Sequence, residues 1–222
     1  MRNFLLIGFI LFFGYSFTQT GTITDSRDGK VYKTVVIGTQ TWMAENLNVS
    51  TFRNGDPIPE AKTIKEWILA GENNQPVWCY YKNKKKNGIK YGKLYNCYAV
   101  IDKRGLAPEG WHIPMDTEWT KLTDFLGGAS ISGAKMKNEN DWNDNKVQFV
   151  KGENFSGFLG LPGGLRSLNG SFGAVGINGD WWSATEYDSN NAYYRFLVRY
   201  DISLYRDNYD KARGMSVRCV KD

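Results

Sequence analysis

Gly179-Asp-Trp-Trp-Ser-Ala-Thr-Glu186 closes a stretch in which eight glycines fall between Gly157 and Gly179. Leu161-Pro-Gly-Gly-Leu-Arg166 lies inside that stretch, and Gly214-Met-Ser-Val-Arg-Cys-Val220 follows near the end of the chain. Glycine adopts backbone conformations that side chains forbid, and paired tryptophans bury large areas with defined geometry. The combination predicts a loop-rich region folded to a single shape. At a strand start the faces alternate, so one of Trp181 and Trp182 is expected in the core and the other at the surface.

Around this stretch the closing segments Trp181 to Glu186, Ala192 to Tyr200, Ile202 to Tyr205 and Met215 to Val220 read as antiparallel strands. Asn190-Asn191 and Asp207-Asn208 read as turns. Tyr194, Phe196, Val198 and Tyr200 share the expected core face. Tyr193, Arg195, Leu197 and Arg199 share the other, with both arginines on a solvated sheet surface.

Upstream, Val31 to Ile37 has the β-branched content of a strand, and Gly38-Thr39-Gln40 turns it into a hairpin with Thr41 to Ala44. Thr63 and Glu66 form a capping-box pattern ahead of a short helix carrying Ile64, Trp67 and Ile68 on one face and ending at Gly71. A second helix begins near Asp116, buries Trp119, Leu122 and Phe125 or Leu126, and ends at Gly127-Gly128. Val77 to Tyr81 and Lys93 to Ile101 read as a hairpin around a basic loop with Asn87-Gly88 as its turn. That register sets Cys79 nearly opposite Cys97. Residues 129–160 read as polar and irregular, with one helical turn at Ala134 to Lys137. The pattern is α+β around a mostly antiparallel sheet.

Residues 1–19 read as a secretory signal peptide. Arg2 supplies the positive charge, and Phe4 to Phe13 is an almost unbroken apolar run. An uncleaved anchor is the rival, although the run is short for a bilayer span. Residues 20–222 then form a single domain with no membrane span. Export permits disulfides among Cys79, Cys97 and Cys219, whose spacing fits no zinc motif. The formal net charge is +5. Lys84-Lys85-Lys86 supplies much of the excess and reads as a solvated loop tip, so no nucleic-acid partner is expected.

No catalytic set emerges. His112 is the only histidine, fixed between Trp111 and Ile113 ahead of Pro114, so a structural role is expected. No metal and no cofactor are expected. Trp142-Asn143-Asp144 has the oxygen-rich form of a calcium triplet, but it precedes the glycine-rich loops and is expected to be coincidental. A ligand-binding surface, if aromatic, falls at Trp182, Glu186, Tyr187, Asp188, Asn190 and Asn191, with Trp182 as platform and Glu186, Asp188, Asn190 and Asn191 as polar contacts.

Several strings come in one order: Val31-Tyr-Lys-Thr-Val-Val-Ile-Gly38, Trp42-Met-Ala-Glu-Asn-Leu47, Gly92-Lys-Leu-Tyr-Asn-Cys-Tyr-Ala-Val100 and Leu106-Ala-Pro-Glu-Gly-Trp-His-Ile-Pro114. Phe155-Ser-Gly-Phe158, Leu161 to Arg166, Trp181 to Glu186 and Ser216 to Val220 follow. The ordered set resembles the Fibrobacter succinogenes major paralogous domain family over residues 22–222. The resemblance implies a C-type lectin-like fold: two helices, a small twisted antiparallel sheet and a long Gly/Trp-rich loop region. It implies a secreted or cell-surface interaction domain that binds a glycan or a surface protein without catalysis. Two alternatives remain open: an enzyme, either a hydrolase or one like the formylglycine-generating enzymes, and a passive structural domain of a surface assembly. The family commonly carries Trp where this chain has Cys97, so the resemblance favours a Cys79–Cys219 disulfide. Cys79–Cys97 is its rival.

Overall fold

The computed structural model describes residues 20–143 and 151–222. The expected signal segment, residues 1–19, and Asp144 of the oxygen-rich triplet lie outside the described residues. The chain opens with β1 (Thr20–Thr24), β2 (Val31–Ile37) and β3 (Gln40–Met43), then α1 (Ile64–Glu72) and β4 (Trp78–Cys79). A 3-10 turn at Tyr81–Asn83 leads to α2 (Lys85–Tyr91), β5 (Leu94–Asn96), α3 (Cys97–Val100) and β6 (Trp111–His112). Helices α4 (Asp116–Phe125) and α5 (Ala129–Met136) precede β7 (Leu165–Arg166) and β8 (Phe172–Gly173). The last five strands are β9 (Asn178–Glu186), β10 (Asn191–Val198), β11 (Tyr205–Asp210), β12 (Gly214–Met215) and β13 (Val220–Lys221).

Among the described residues the strands form three sheets, ordered β1-β2-β3-β13-β6, β11-β10-β9 and β4-β5-β12-β7-β8, with every strand pairing antiparallel. This overturns the two-helix, single-sheet lectin-like expectation. Most of the additional strands are two residues long, too short for alternation to register in sequence. No described helix is long and apolar enough to cross a membrane.

The β2–β3 hairpin forms as expected, Ile37 pairing Gln40 across Gly38-Thr39. The polar segment before it supplies β1, paired to β2 from Thr20↔Val35 to Thr24↔Val31. Helix α1 has its capping box: Thr63 Oγ1 accepts from Glu66 N at 3.1 Å, and Glu66 accepts from Thr63 N at 2.9 Å. Its buried positions are Trp67 and Ala70, while Ile64 is exposed, contrary to expectation. Helix α4 buries Trp119, Leu122 and Leu126, leaving Phe125 outside. Residues 85–91 are helical rather than a hairpin loop. Cys97 begins α3, and the residue opposite Cys79 is Leu94.

The three cysteines are buried and free. Cys79 packs with Ala61, Trp67 and Leu94, whereas Cys97 and Cys219 belong to the cluster around Tyr95 and Met215. Neither expected disulfide forms: Cys79 sits in a different part of the core from both partners, and a disulfide needs Cα atoms within about 7 Å.

Strand β9 explains the glycine–tryptophan stretch. Trp181 and Trp182 are both 0 % exposed. Trp182 faces the cluster holding Tyr95 and Tyr194, and Trp181 faces the one holding Trp42, Trp119 and Phe158. Both faces of the strand are core, so alternation sends one indole each way and neither to solvent. At Gly179 a Cβ would lie 2.4 Å from the Trp181 ring and 2.6 Å from the Leu161 oxygen, so only glycine lets the indole fold back on the strand.

Irregular backbone brings carbonyls without ladder partners, and these must be satisfied when buried. Here buried cations collect them. Arg218 Nη1 donates to Met43 O (3.0 Å) and Phe158 O (2.6 Å), and Nη2 to Leu159 O (3.0 Å). Its Nε donates to Asn46 Oδ1 at 2.6 Å, which also accepts from Trp181 Nε1 at 2.9 Å. Arg166 lies between Trp67 and Phe172 and donates to Ala61, Thr63 and Gly170 oxygens at 2.7, 2.9 and 3.1 Å. Burial lowers Arg218 to about 9, although Glu45 opposes the shift. Among the described residues neither arginine has a salt-bridging carboxylate; each binds through carbonyl dipoles and aromatic faces.

Candidate functional site

The β9–β10 hairpin carries most of the residues singled out for binding. Its loop spans Tyr187 to Asn190. Asp188 accepts from the backbone N of Asn190 (2.8 Å) and Asn191 (2.7 Å) and from Asn191 Nδ2, a side-chain-closed turn. Those bonds, that from the Asn191 side chain foremost, hold the Asp188 carboxyl below the usual range. Under the turn lies Lys211, a residue of the loop between β11 and β12 that is 3 % exposed. Its Nζ donates to Glu186 Oε1 (2.7 Å), Asp188 O (3.0 Å) and Ser189 O (2.8 Å). A buried ammonium thus fixes the loop from below, where sequence reading saw only turn residues.

Between Trp182 and Glu186 strand β9 bulges, since Ala192 pairs Glu186 while Tyr194 pairs Trp182. The bulge delivers Ala184 N to Pro114 O at 2.9 Å and lets Thr185 Oγ1 accept from Asp116 N at 2.9 Å. Helix α4 is thereby docked by its first residue. Asp116 also binds Arg195 Nη1 at 2.6 Å and Arg206 Nη2 at 3.0 Å. Burial would raise its carboxyl, but hydrogen bonds from Arg206 and Arg195 outweigh this and lower it. Arg195 is buried, which corrects its expected place on a solvated face. Asp207-Asn208, expected as a turn, lies within β11.

The outer surface of this unit is aromatic and cationic. Tyr187 is 53 % exposed and meets Tyr193 edge-on, ring centroids 5.3 Å apart. The Arg206 guanidinium covers the Tyr193 ring at 3.9 Å. The Glu186 and Met115 side chains are also exposed beside it. Trp182, expected as the platform, is instead the floor beneath: its Nε1 donates to Tyr95 O at 2.9 Å. The exposed ring is Tyr187. Sequence reading missed Tyr193, Arg206, Lys211 and Asp116 as parts of the unit. Only the Tyr193/Arg195 alternation along β10 hinted at it.

Groups suited to catalysis are held elsewhere. His112 Nδ1 lies 2.6 Å from Asp222 Oδ1, and Nε2 lies 2.9 Å from both Glu118 oxygens. Burial pulls its pKa down, but the Asp222 and Glu118 bonds outweigh it and raise it. Both ring nitrogens are therefore engaged by carboxylates, and neither is presented to a nucleophile. Burial pushes the Cys79 and Cys97 thiols up to about 12, and Cys219 higher, far from thiolate reactivity. Among the described residues no group of three or more His, Cys, Asp or Glu is placed to hold a metal ion. Trp142 is buried with Nε1 donating to Gly160 O at 3.2 Å, and Asn143 N bonds Gly176 O at 2.8 Å, so two members of the oxygen-rich triplet serve packing.

A family model described as Fibrobacter succinogenes major domain matches residues 35–221. No curated protein and no solved structure matches the chain.

Proposed function

The chain belongs to the Fibrobacter succinogenes major domain family, and from that premise we propose a non-catalytic binding domain, exported or held at the cell surface, whose ligand is a glycan or a surface protein. The observation that carries this is the Tyr187–Tyr193–Arg206 surface, an exposed aromatic ring beside a guanidinium and the Glu186 carboxylate. Aromatic faces take the apolar faces of sugars or side chains, and flanking charged groups take hydroxyls or amides. The surface is preorganised by Lys211 and Asp116 beneath it, so little ordering entropy opposes binding. Engagement of both His112 nitrogens and burial of all three thiols favour binding over hydrolysis or cysteine oxidation.

Glycan-array and pull-down screens of the folded protein, with Tyr187→Ala and Arg206→Ala alongside, test the proposal. Loss of an exposed aromatic anchor costs about ten-fold or more in affinity. A ligand of either class, weakened by both substitutions, supports the proposal. A folded protein that binds neither class, or whose binding ignores both substitutions, overturns it.

A further inference from the structure

Between Glu72 and Asp102 the sequence contains six lysines and no acidic residue. This segment folds into the 3-10 turn at Tyr81–Asn83 and helix α2, not into the solvated loop expected from Lys84-Lys85-Lys86. Lys82, Lys84, Lys85 and Lys86 are all exposed, and among the described residues none makes an ion pair. The neighbouring cations Lys62 and Lys90 do, with Glu60 at 3.5 Å and Asp141 at 2.7 Å. On α2, one helical turn from Lys85 and Lys86, Ile89 is 83 % exposed, more than any other large apolar residue described.

The frame under these side chains is rigid. Lys82 and Asn83 both take left-handed φ values of 53°, a conformation costly for side chains with a Cβ and found where surroundings impose it. Asn87 Nδ2 donates to Tyr81 O at 2.7 Å, and Asn48 Nδ2 to Gly88 O at 3.1 Å. At Gly88 a Cβ would stand 2.1 Å from the Tyr80 ring, so the aromatic seats directly on the helix backbone. Four lysines without an ion pair among the described residues, and one apolar tip, are thus displayed in fixed relation. A solvated charge run needs neither the fixed backbone nor the outward isoleucine.

We propose that the Lys82–Ile89 surface docks on an anionic lipid bilayer, the lysines meeting headgroup phosphates and Ile89 entering the acyl boundary. The four lysines, uncompensated among the described residues, complement an anionic surface, and Ile89 distinguishes a bilayer from a soluble polyanion. A polyanion offers nothing apolar to take the isoleucine, whereas an interfacial anchor consists of cations around an apolar tip. This surface is separate from the β9–β10 hairpin, and the inference stands independently of the glycan or protein ligand proposed there.

The test is sedimentation of the full chain with vesicles of phosphatidylcholine alone and of phosphatidylcholine with one third phosphatidylglycerol. The phosphatidylcholine baseline absorbs any contribution of the apolar run Phe4 to Phe13. Each lysine near an anionic surface contributes about a five-fold gain, so the four together give an anionic preference of roughly several hundred-fold, which collapses in molar salt. The quadruple change of Lys82, Lys84, Lys85 and Lys86 to Gln abolishes the preference, and the same four changed to Arg preserve it. Ile89→Ser lowers binding to anionic vesicles about ten-fold and leaves binding to soluble dextran sulfate unchanged. Equal binding to both vesicle types overturns the proposal. So does an Ile89→Ser variant that binds anionic vesicles like the parent, which would identify the surface as a site for soluble polyanions. Unchanged circular dichroism of the Gln and Ile89→Ser variants separates loss of docking from loss of fold.

Discussion

Replacing Asp180 by Asn should flatten the pH dependence of stability. Asp180 lies in β9 opposite Phe196, is 2 % exposed, and its Oδ2 has no hydrogen-bond partner among the described residues. Burial pushes the carboxyl up to about 7, with the charge of Arg213 only partly opposing. In the unfolded chain it titrates near 4. Between pH 4 and 7 the native protein therefore keeps a proton that the unfolded chain has released. A raised native pKa contributes stability that is full below pH 4, is lost as pH rises to 7, and stays lost above. Three units at about 1.4 kcal/mol each come to about 4 kcal/mol, a large share of the 5–15 kcal/mol typical of a domain. In Asp180→Asn this loss is absent. The amide brings unmet donors of its own, worth about 1–2 kcal/mol against the fold. The variant should thus be slightly less stable than the parent at pH 4 and more stable by roughly 2–3 kcal/mol at pH 8. Urea unfolding of both proteins at each pH from 4 to 8 measures this, and other titrating groups cancel in the difference. Parallel stability curves across that range would refute a raised Asp180 pKa.

Arg218→Lys should destabilise by about 2–4 kcal/mol in urea melts, because an ammonium cannot reach Met43, Phe158 and Leu159 carbonyls together with Asn46, and buried acceptors would go unmet. The three thiols should be inert to a disulfide reagent in the native protein and all react in denaturant. A thiol count of one in denaturant would mean that a disulfide forms after all. His112 should titrate above 6.5 by NMR, and Glu118→Gln should lower it. Since its native pKa is raised, its contribution to stability is full below about 6.5 and disappears as pH rises through the native value.

The elements legible in the sequence were those whose signals are local. The β2–β3 hairpin has a seven-residue first strand and a two-residue turn, and α1 and α4 have caps and a buried stripe. The misread ones answer to distant partners. Strands β6, β7, β12 and β13 are two residues long and exist because a neighbour far along the chain supplies hydrogen bonds. Asn87-Gly88 mimics a hairpin turn, but both residues lie in α2, and Gly88 is glycine because the Tyr80 ring occupies the space of a Cβ. At the hairpin site the turn chemistry of Asp188 and Asn191 was readable. Burial of Trp182, Arg195 and Lys211 was not, since an arginine that clamps a carboxylate in the core has the same one-letter pattern as one in water.

Strand β13 has a consequence for how the protein reaches its shape. It lies between β3 and β6, and the segment before it bonds the first hairpin again: Met43 N to Cys219 O and Leu47 N to Val217 O, both 2.9 Å. The first sheet therefore closes on residues about 170 to 180 positions away in sequence. Such non-local contacts make folding slow and late. The sheet from β1 to β6 is therefore complete only when residues 214–221 arrive. Cutting those eight residues should leave not a shorter domain but an unfolded one, and an added C-terminal peptide should be tolerated only beyond Asp222.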